Sequence, residues 1–484
     1  MNPALETVTV EQLAKLLAAG SLSAVSLARA CLDRIAALDD RGPGLHAVRL
    51  INPHALADAA DADRRLRAGE RGGLLGIPVL VKDNVDVEGL PTTAGSVALA
   101  SSRPAGDAPL VTALRRAGAV VLGKTNLTEL ANFLTGGMPG GYSSLGGQVL
   151  NPYDTSQPPS GSSSGSAVAV AAGYAPLAVG SETSGSILGP ACANSVVGIK
   201  PTVGLVPRTG LVPIAASQDT AGPIARTVAD AAALLTVLVG RDHRDPATAG
   251  NPLTGHDFTG DLEATALRGA RIGAVPAQVP DDDRALWDAA LAALEACGAM
   301  VSEIPLDPEC AASSVLTYEF KRDLDAYLAA LPGGAPCRSL ADVIAYNEAH
   351  AALALKFGQT RASAAQAMDL DPGSADTRQY LADRARDLAD SRDRVDRVLR
   401  EGDLTALLFP GHSGADLGAR AGYPSICVPA GYRATGRRPF GITFLGPAWS
   451  EPVLVGCAYA YERATRLRRP PSEVNPAMVP AGIG

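Results

Sequence analysis

Three short stretches hold side chains that could do chemistry. The first, PPSGSSSGS from Pro158 to Ser166, sets five serines between Ser160 and Ser166. The second, SETSGSILGP, puts Ser186 in another glycine-flanked turn. In the third, GIPVLVKDN, Lys82 stands where an apolar run gives way to polar residues. A serine hydroxyl attacks a carbonyl only when a base takes its proton. Lysine can be that base only when neutral. Lowering its pKa from about 10.4 to about 7 by burial costs roughly 4–5 kcal/mol at about 1.36 kcal/mol per unit. An approach as apolar as GIPVLV would desolvate such a group. A salt bridge to Asp83 or another carboxylate is the alternative reading of Lys82, and it stays open here.

The serine-rich stretch admits other readings. A flexible linker would be Gly/Ser-rich in this way, but the stretch runs straight into AVAVAAGYAPLAVG, which must be buried. A phosphate cradle would expose backbone N–H groups before a helix. No GKS or GKT ends the loop, however, and no GxGxxG is present. GSSSG, Gly161 to Gly165, formally fits the G-x-S-x-G elbow with Ser163 as nucleophile. That motif wants a strand before it, whereas NPYDTSQPPS holds three prolines and reads as a loop. It also wants a histidine, and none of the six (His46, His54, His243, His256, His350, His412) has a distinctive setting. A partner far along the chain is compatible with that reading.

The elements that must position these groups follow an alternating order. Thr9 and Gln12 form a capping-box pattern at a helix start. A second helix is expected from Ser23, with Leu27, Cys31, Ile35 and Leu38 on one face. GIPVLVKDN gives a short buried strand; PLVTALRRAGAVVLGKTN and SAVAVAAGYAPLAVGSET each read as helix, glycine, strand. Such alternation argues for a sheet covered by helices. From about Gly240 the texture changes, and charged helical sequence dominates from Asp281 to Arg400, its charges read as a solvated face. Strand patterns return at LTALLFPG, PSICVPAG and PFGITFLGP before a last helix from Glu451. Strands at both ends point to one sheet and one domain over residues 1–484.

Composition narrows the function classes. Of the 484 residues 46% are hydrophobic and 19% charged, which supports a large core. The net charge of −8, with no long basic block, argues against a nucleic-acid or anionic-membrane surface. Seven cysteines form no CxxC pair, so neither a disulfide framework nor a zinc site is expected. No signal-peptide pattern opens the sequence, and no apolar run is long enough for a membrane span, so a cytoplasmic location is the expectation.

Taken together, the ordered segments resemble the amidase signature family, serine hydrolases with a Ser–cis-Ser–Lys triad. The family's G-G-S-S-G-G-S is similar to SGSSSGS from Ser160 to Ser166, and its D-T-G-G-S-I to ETSGSI from Glu182 to Ile187. PVLVKDNVDVEGLPTTAGS, GAVVLGKTNLTELANF, SQDTAGPIARTVADAA and GYPSICVPAG also sit where members carry similar segments. The resemblance implies the amidase signature fold, a large twisted mixed sheet sandwiched between helical layers. It implies a signature core over about 70–235, a helical elaboration over about 280–400, and C-terminal strands and helix over 404–467.

Carried over residue by residue, the implied triad is Lys82, Ser162 and Ser186. The step of 24 residues from Ser162 to Ser186 matches the family's and selects the first serine of the Ser162–Ser163 pair. Ser186 would form the acyl-enzyme and Ser162 would relay its proton to neutral Lys82. Backbone N–H groups of Thr183, Ser184, Gly185 and Ser186 would form the oxyanion hole, and Gly161–Ser162 would be cis. No cofactor and no metal are implied. Serines replace family glycines at 160, 164 and 184, so glycine-only torsions are expected to be unnecessary there. Leu188 stands where many members have arginine, which argues against a carboxylate close to the scissile bond. The serine-for-glycine pattern is most similar to the peptide amidase branch, whose members release ammonia from peptide C-terminal carboxamides. An amidase for small aryl or alkyl amides is the runner-up. The further alternatives are a catalytically silent binding protein on the same fold and a transamidase subunit.

Overall fold

The computed structural model describes residues 4–276, 279–433 and 437–479. Its main sheet takes strands from most of the chain: β1 (Val48–Ile51), β2 (Pro78–Lys82), β3 (Val120–Thr125), β4 (Leu177–Glu182), β5 (Val197–Lys200) and β6 (Thr220–Ala225). The later strands are β7 (Arg271–Ala274), β8 (Met300–Glu303), β9 (Ala406–Pro410), β10 (Ser425–Tyr432) and β11 (Pro439–Leu445). The spatial order is β1-β3-β2-β4-β6-β5-β10-β11-β9-β7-β8. Parallel pairing joins β3, β2 and β4, and again β9, β7 and β8; the other neighbours are antiparallel. The sheet is therefore mixed, as expected.

PVLVK, VVLGKT and LAVGSE are buried at every position, which is what strands covered on both faces require. The helix Ser164–Ala171 is buried all round and packs against β4 and β2. Val228–Leu238 packs on β6, and Glu451–Thr465 on β10. The expected helix starts are present. Thr9 and Gln12 close a full capping box, and Ser23 caps Ala24–Leu38, whose Leu27, Cys31, Ile35 and Leu38 are buried. Among the described residues no helix is long and apolar enough to cross a membrane.

The segment from 281 to 401 is mainly helical, with Arg284–Ala296, Val315–Ala330, Leu340–Ala349, Thr360–Gln366 and Ala375–Glu401. Two features differ from the sequence reading. The edge strand β8 lies inside this segment; its four residues are mostly exposed, so they carry no clear periodic signal. The charges of Ala375–Glu401 are also not only a solvated face. Asp383 is buried and accepts from the Ser314 N–H and hydroxyl, each at 2.8 Å, while buried Asp387 meets Arg420 at 3.0 Å. A separate apolar cluster ties these helices to the loop at 130–134, with the Phe133 and Phe320 rings 4.7 Å apart. That joint fixes one wall of the cavity described next.

Candidate active site

β2 and β4 are parallel neighbours with Val81 opposite Val179, so their carboxyl ends emerge side by side. Ligand sites of open α/β sheets form at such strand ends. Lys82 closes β2, fully buried, and its Nζ lies 2.8 Å from Ser162 Oγ and 2.9 Å from Ser181 Oγ. The Ser181 carbonyl is 3.2 Å from the same nitrogen, and Asn84 donates to Ser181 Oγ at 2.9 Å. Burial pushes the Lys82 pKa down to about 7, against the opposing pull of Glu182 and Asp219. The salt-bridge alternative fails on geometry. Asp83 pairs instead with Lys124 at 3.0 Å and accepts from the Thr93 hydroxyl.

Only one serine of the cluster reaches the lysine. Ser163 Oγ donates to the Ser181 carbonyl at 2.9 Å and accepts from its N–H at 3.2 Å. The Ser164 and Ser166 hydroxyls donate to the carbonyls of Ser160 and Val179 at 2.6 and 3.1 Å. Ser162, fully buried, is left facing Lys82, and the Gly161–Ser162 peptide is cis. The elbow reading of Ser163 has no support here, since a loop precedes it and its hydroxyl is held by β4 backbone. The expectation about glycine torsions needs one correction. Ser160 has φ +64, in the left-handed region, whereas Ser164 and Ser184 are not among the positive-φ residues. The chain turns sharply there into the helix Ser164–Ala171, and the Ser164 hydroxyl braces that turn. A lone left-handed residue costs about 1–2 kcal/mol.

The turn after β4 carries Ser186, which lines a cavity and is 7% exposed. Its hydroxyl has no hydrogen bond to another described residue, and its carbonyl accepts from Ser163 N–H at 3.0 Å. The serine segments are thus joined through backbone. Sequence reasoning missed what shapes this turn. The Glu182 carboxylate accepts from the N–H groups of Gly185, Ile187 and Leu188 at 2.8, 2.6 and 3.0 Å. An acid closing a strand just before a glycine turn was the available signal. Gly185 holds φ +75 in the middle of it. Its N–H is therefore committed to Glu182, while those of Thr183, Ser184 and Ser186 have no partner among the described residues. Thr183 is held in place by its hydroxyl bond to Asp219. Glu182→Gln should lower kcat by roughly ten- to a hundredfold with little change in KM, because a small misplacement of reacting groups costs that much. An unchanged kcat in a well-folded variant would show that the turn does not depend on the carboxylate.

The cavity over Ser186 has a volume of about 420 Å³. Phe133, Ile214 and Gln218 line it from the sheet side, and Val315, Leu316 and Arg361 from the helical segment. Gln218 is 4% exposed and its Oε1 lacks a partner among the described residues, so it can accept from a ligand N–H. Arg361 donates to the Asn132 carbonyl at 2.6 Å. Arg420 meets Asp387 and Asp416 at 3.0 Å each, which balances charge around the cavity. Leu188 is buried and offers no cation beside Ser186.

Comparison with known proteins bears on this geometry. The Amidase family model matches residues 26–415. A probable amidase of Arabidopsis thaliana is 40% identical over 452 residues, covering 90% of this chain and 86% of its own. A glutamyl-tRNA(Gln) amidotransferase component of Chromohalobacter salexigens is 34% identical over 496 residues, covering 96% and 98%. Among solved structures, the native peptide amidase of Stenotrophomonas maltophilia superposes with a TM-score of 0.90 at 45% identity, covering 96% of this chain and 98% of its own.

Proposed function

This chain belongs to the amidase family and cleaves amide C–N bonds, and we propose that it does so with Ser186 as nucleophile, Ser162 as proton relay and Lys82 as base. The observation that carries this reading is the 2.8 Å approach of Lys82 Nζ to Ser162 Oγ in a fully buried setting. Ser186 Oγ attacks the amide carbonyl and its proton passes through Ser162 to neutral Lys82. The N–H groups of Thr183, Ser184 and Ser186 receive the developing oxyanion, with the Gly185 N–H reserved for Glu182. Collapse expels the amine, protonated by the return of the same proton, and leaves an acyl-serine. Water then attacks the ester by the same relay.

The substrate we propose is the C-terminal carboxamide of peptides. Support comes from the 45% identity to a peptide amidase and from the cavity itself. Phe133, Ile214 and Leu316 suit an apolar side chain, and Gln218 Oε1 suits a peptide N–H. Leu188, two residues past Ser186, is buried and apolar, and the arginines of the cavity are engaged, Arg420 by Asp387 and Asp416 and Arg361 by the Asn132 carbonyl. A cytoplasmic location fits the seven unpaired cysteines. Turnover, read as ammonia from primary amides and as the aniline from anilides, should be fastest for peptide amides, slower for free amino-acid amides and anilides, and slowest for glutamine. A preference for anilides would favour a small-amide amidase, and glutamine as best substrate would favour the amidotransferase reading.

A further inference from the structure

A thiol pair lies behind the turn that carries Ser186, and no step of amide hydrolysis uses it. Cys192 is on the helix Leu188–Ala193, which begins two residues after Ser186. Its Sγ stands 2.9 Å from Sγ of Cys427 on β10. Both sulfurs press on Gly441 of β11, where a Cβ would lie 3.0 Å from one and 3.1 Å from the other. The sheet therefore leaves room for the pair only because that position has no side chain. His412 lines the same cavity as Cys192 and is packed within 3.4 Å of where side chains at Gly185 and Gly189 would begin. A cavity of about 380 Å³, separate from the one over Ser186, opens onto Cys192 and His412. The Arg433–Asp283 ion pair, at 2.6 Å, borders it.

The electrostatics single out one sulfur of seven. The hydrogen bond with Cys427, and then the neighbouring His412 charge, hold the Cys192 thiol below its usual range, against its burial. Burial pushes the others up: Cys31 to about 12, Cys337 and Cys457 to about 11, with Cys297, Cys310 and Cys427 also raised. The thiolate is the reactive form, so reactivity concentrates at Cys192.

We propose that Cys192 and Cys427 form a dithiol modification site, which a small hydroperoxide entering this second cavity converts to a disulfide. The Cys192 thiolate attacks the terminal peroxide oxygen and the O–O bond breaks. The departing alkoxide takes the proton of the His412 imidazolium and leaves as an alcohol. Cys192 is then a sulfenic acid. Cys427 sulfur attacks it, the S–O bond breaks, and the hydroxyl leaves as water with the Cys427 proton. Two thiols are oxidised by two electrons and one hydroperoxide is reduced to alcohol and water.

The test treats the full chain with tert-butyl hydroperoxide and maps its peptides without reduction. The expected product is one cross-linked pair joining Cys192 to Cys427, two hydrogens lighter than the parent peptides. Two of the seven thiols should vanish from a titration in denaturant and return with dithiothreitol. In Cys427→Ser, dimedone should instead trap a sulfenic acid on Cys192. Oxidation of the half-buried Cys297 or Cys310 while Cys192 and Cys427 stay reduced would overturn the proposal. That mapping on the unmodified chain decides the matter even where the serine variant folds poorly.

Discussion

Ser186→Ala should lower kcat by roughly a millionfold, the loss typical of removing a serine nucleophile, with the melting temperature almost unchanged. The hydroxyl lines the cavity and makes no hydrogen bond to another described residue, so its removal leaves no buried group unpaired. A fluorophosphonate should label Ser186 alone. Ser163→Ala has a different expected profile. Its hydroxyl bridges the N–H and carbonyl of Ser181, so that variant should lose stability first and turnover as a consequence. Labelling at Ser163, or a Ser186→Ala enzyme retaining a per cent of its activity, would sink the assignment of the nucleophile.

What could be read from the sequence was local. The capping box at Thr9 and Gln12 closes within one turn, and the buried strands PVLVK and LAVGSE declare themselves by continuous apolar character. The candidate site was legible because its parts sit at the ends of those strands, in segments whose order resembles one family. Contacts set by strand register were not legible. Asp83 chooses Lys124 because β3 lies beside β2, with Val81 opposite Lys124, and nothing in KDN announces that neighbour. Glu182 was visible as a residue but not as the acceptor of three N–H groups, since that role depends on how the turn folds back. The left-handed Ser160 escaped because serine does not advertise φ above zero as glycine does. Cys192 and Cys427 are 235 positions apart, and both look like core hydrophobes until helix and sheet are packed together. The acids of Ala375–Glu401 were misjudged for the same reason, because burial of Asp387 depends on Arg420 arriving from another helix.

Lys82 gives the second large effect, and here kinetics and stability make linked claims. Lys82→Ala should lose several orders of magnitude in kcat, since it removes the amine that reaches Ser162 Oγ. Lys82→Arg should be nearly as damaging, because a guanidinium keeps its proton at any working pH. In the parent enzyme the base is competent when neutral, so activity should rise with pH through about 7 and then level. The same depressed pKa affects folding. In the unfolded chain the amine returns to its ordinary value of 10.5, so between about pH 7 and 10.5 the unfolded state binds more protons than the folded one. Stability from this group must therefore rise with pH across that window. Below about pH 7 the penalty is fully present, about 5 kcal/mol for the whole shift at about 1.36 kcal/mol per unit. Lys82→Met carries no such group, so its stability relative to the parent should be greatest at pH 6 and should shrink steadily toward pH 10. Urea unfolding of both proteins across that range measures the difference directly. A parallel pH course for the two would mean that Lys82 is charged in the folded state, and an arginine variant with near-normal kcat would mean that the charge is compatible with turnover. Either result removes the lysine base, because a protonated group cannot accept the proton of Ser162.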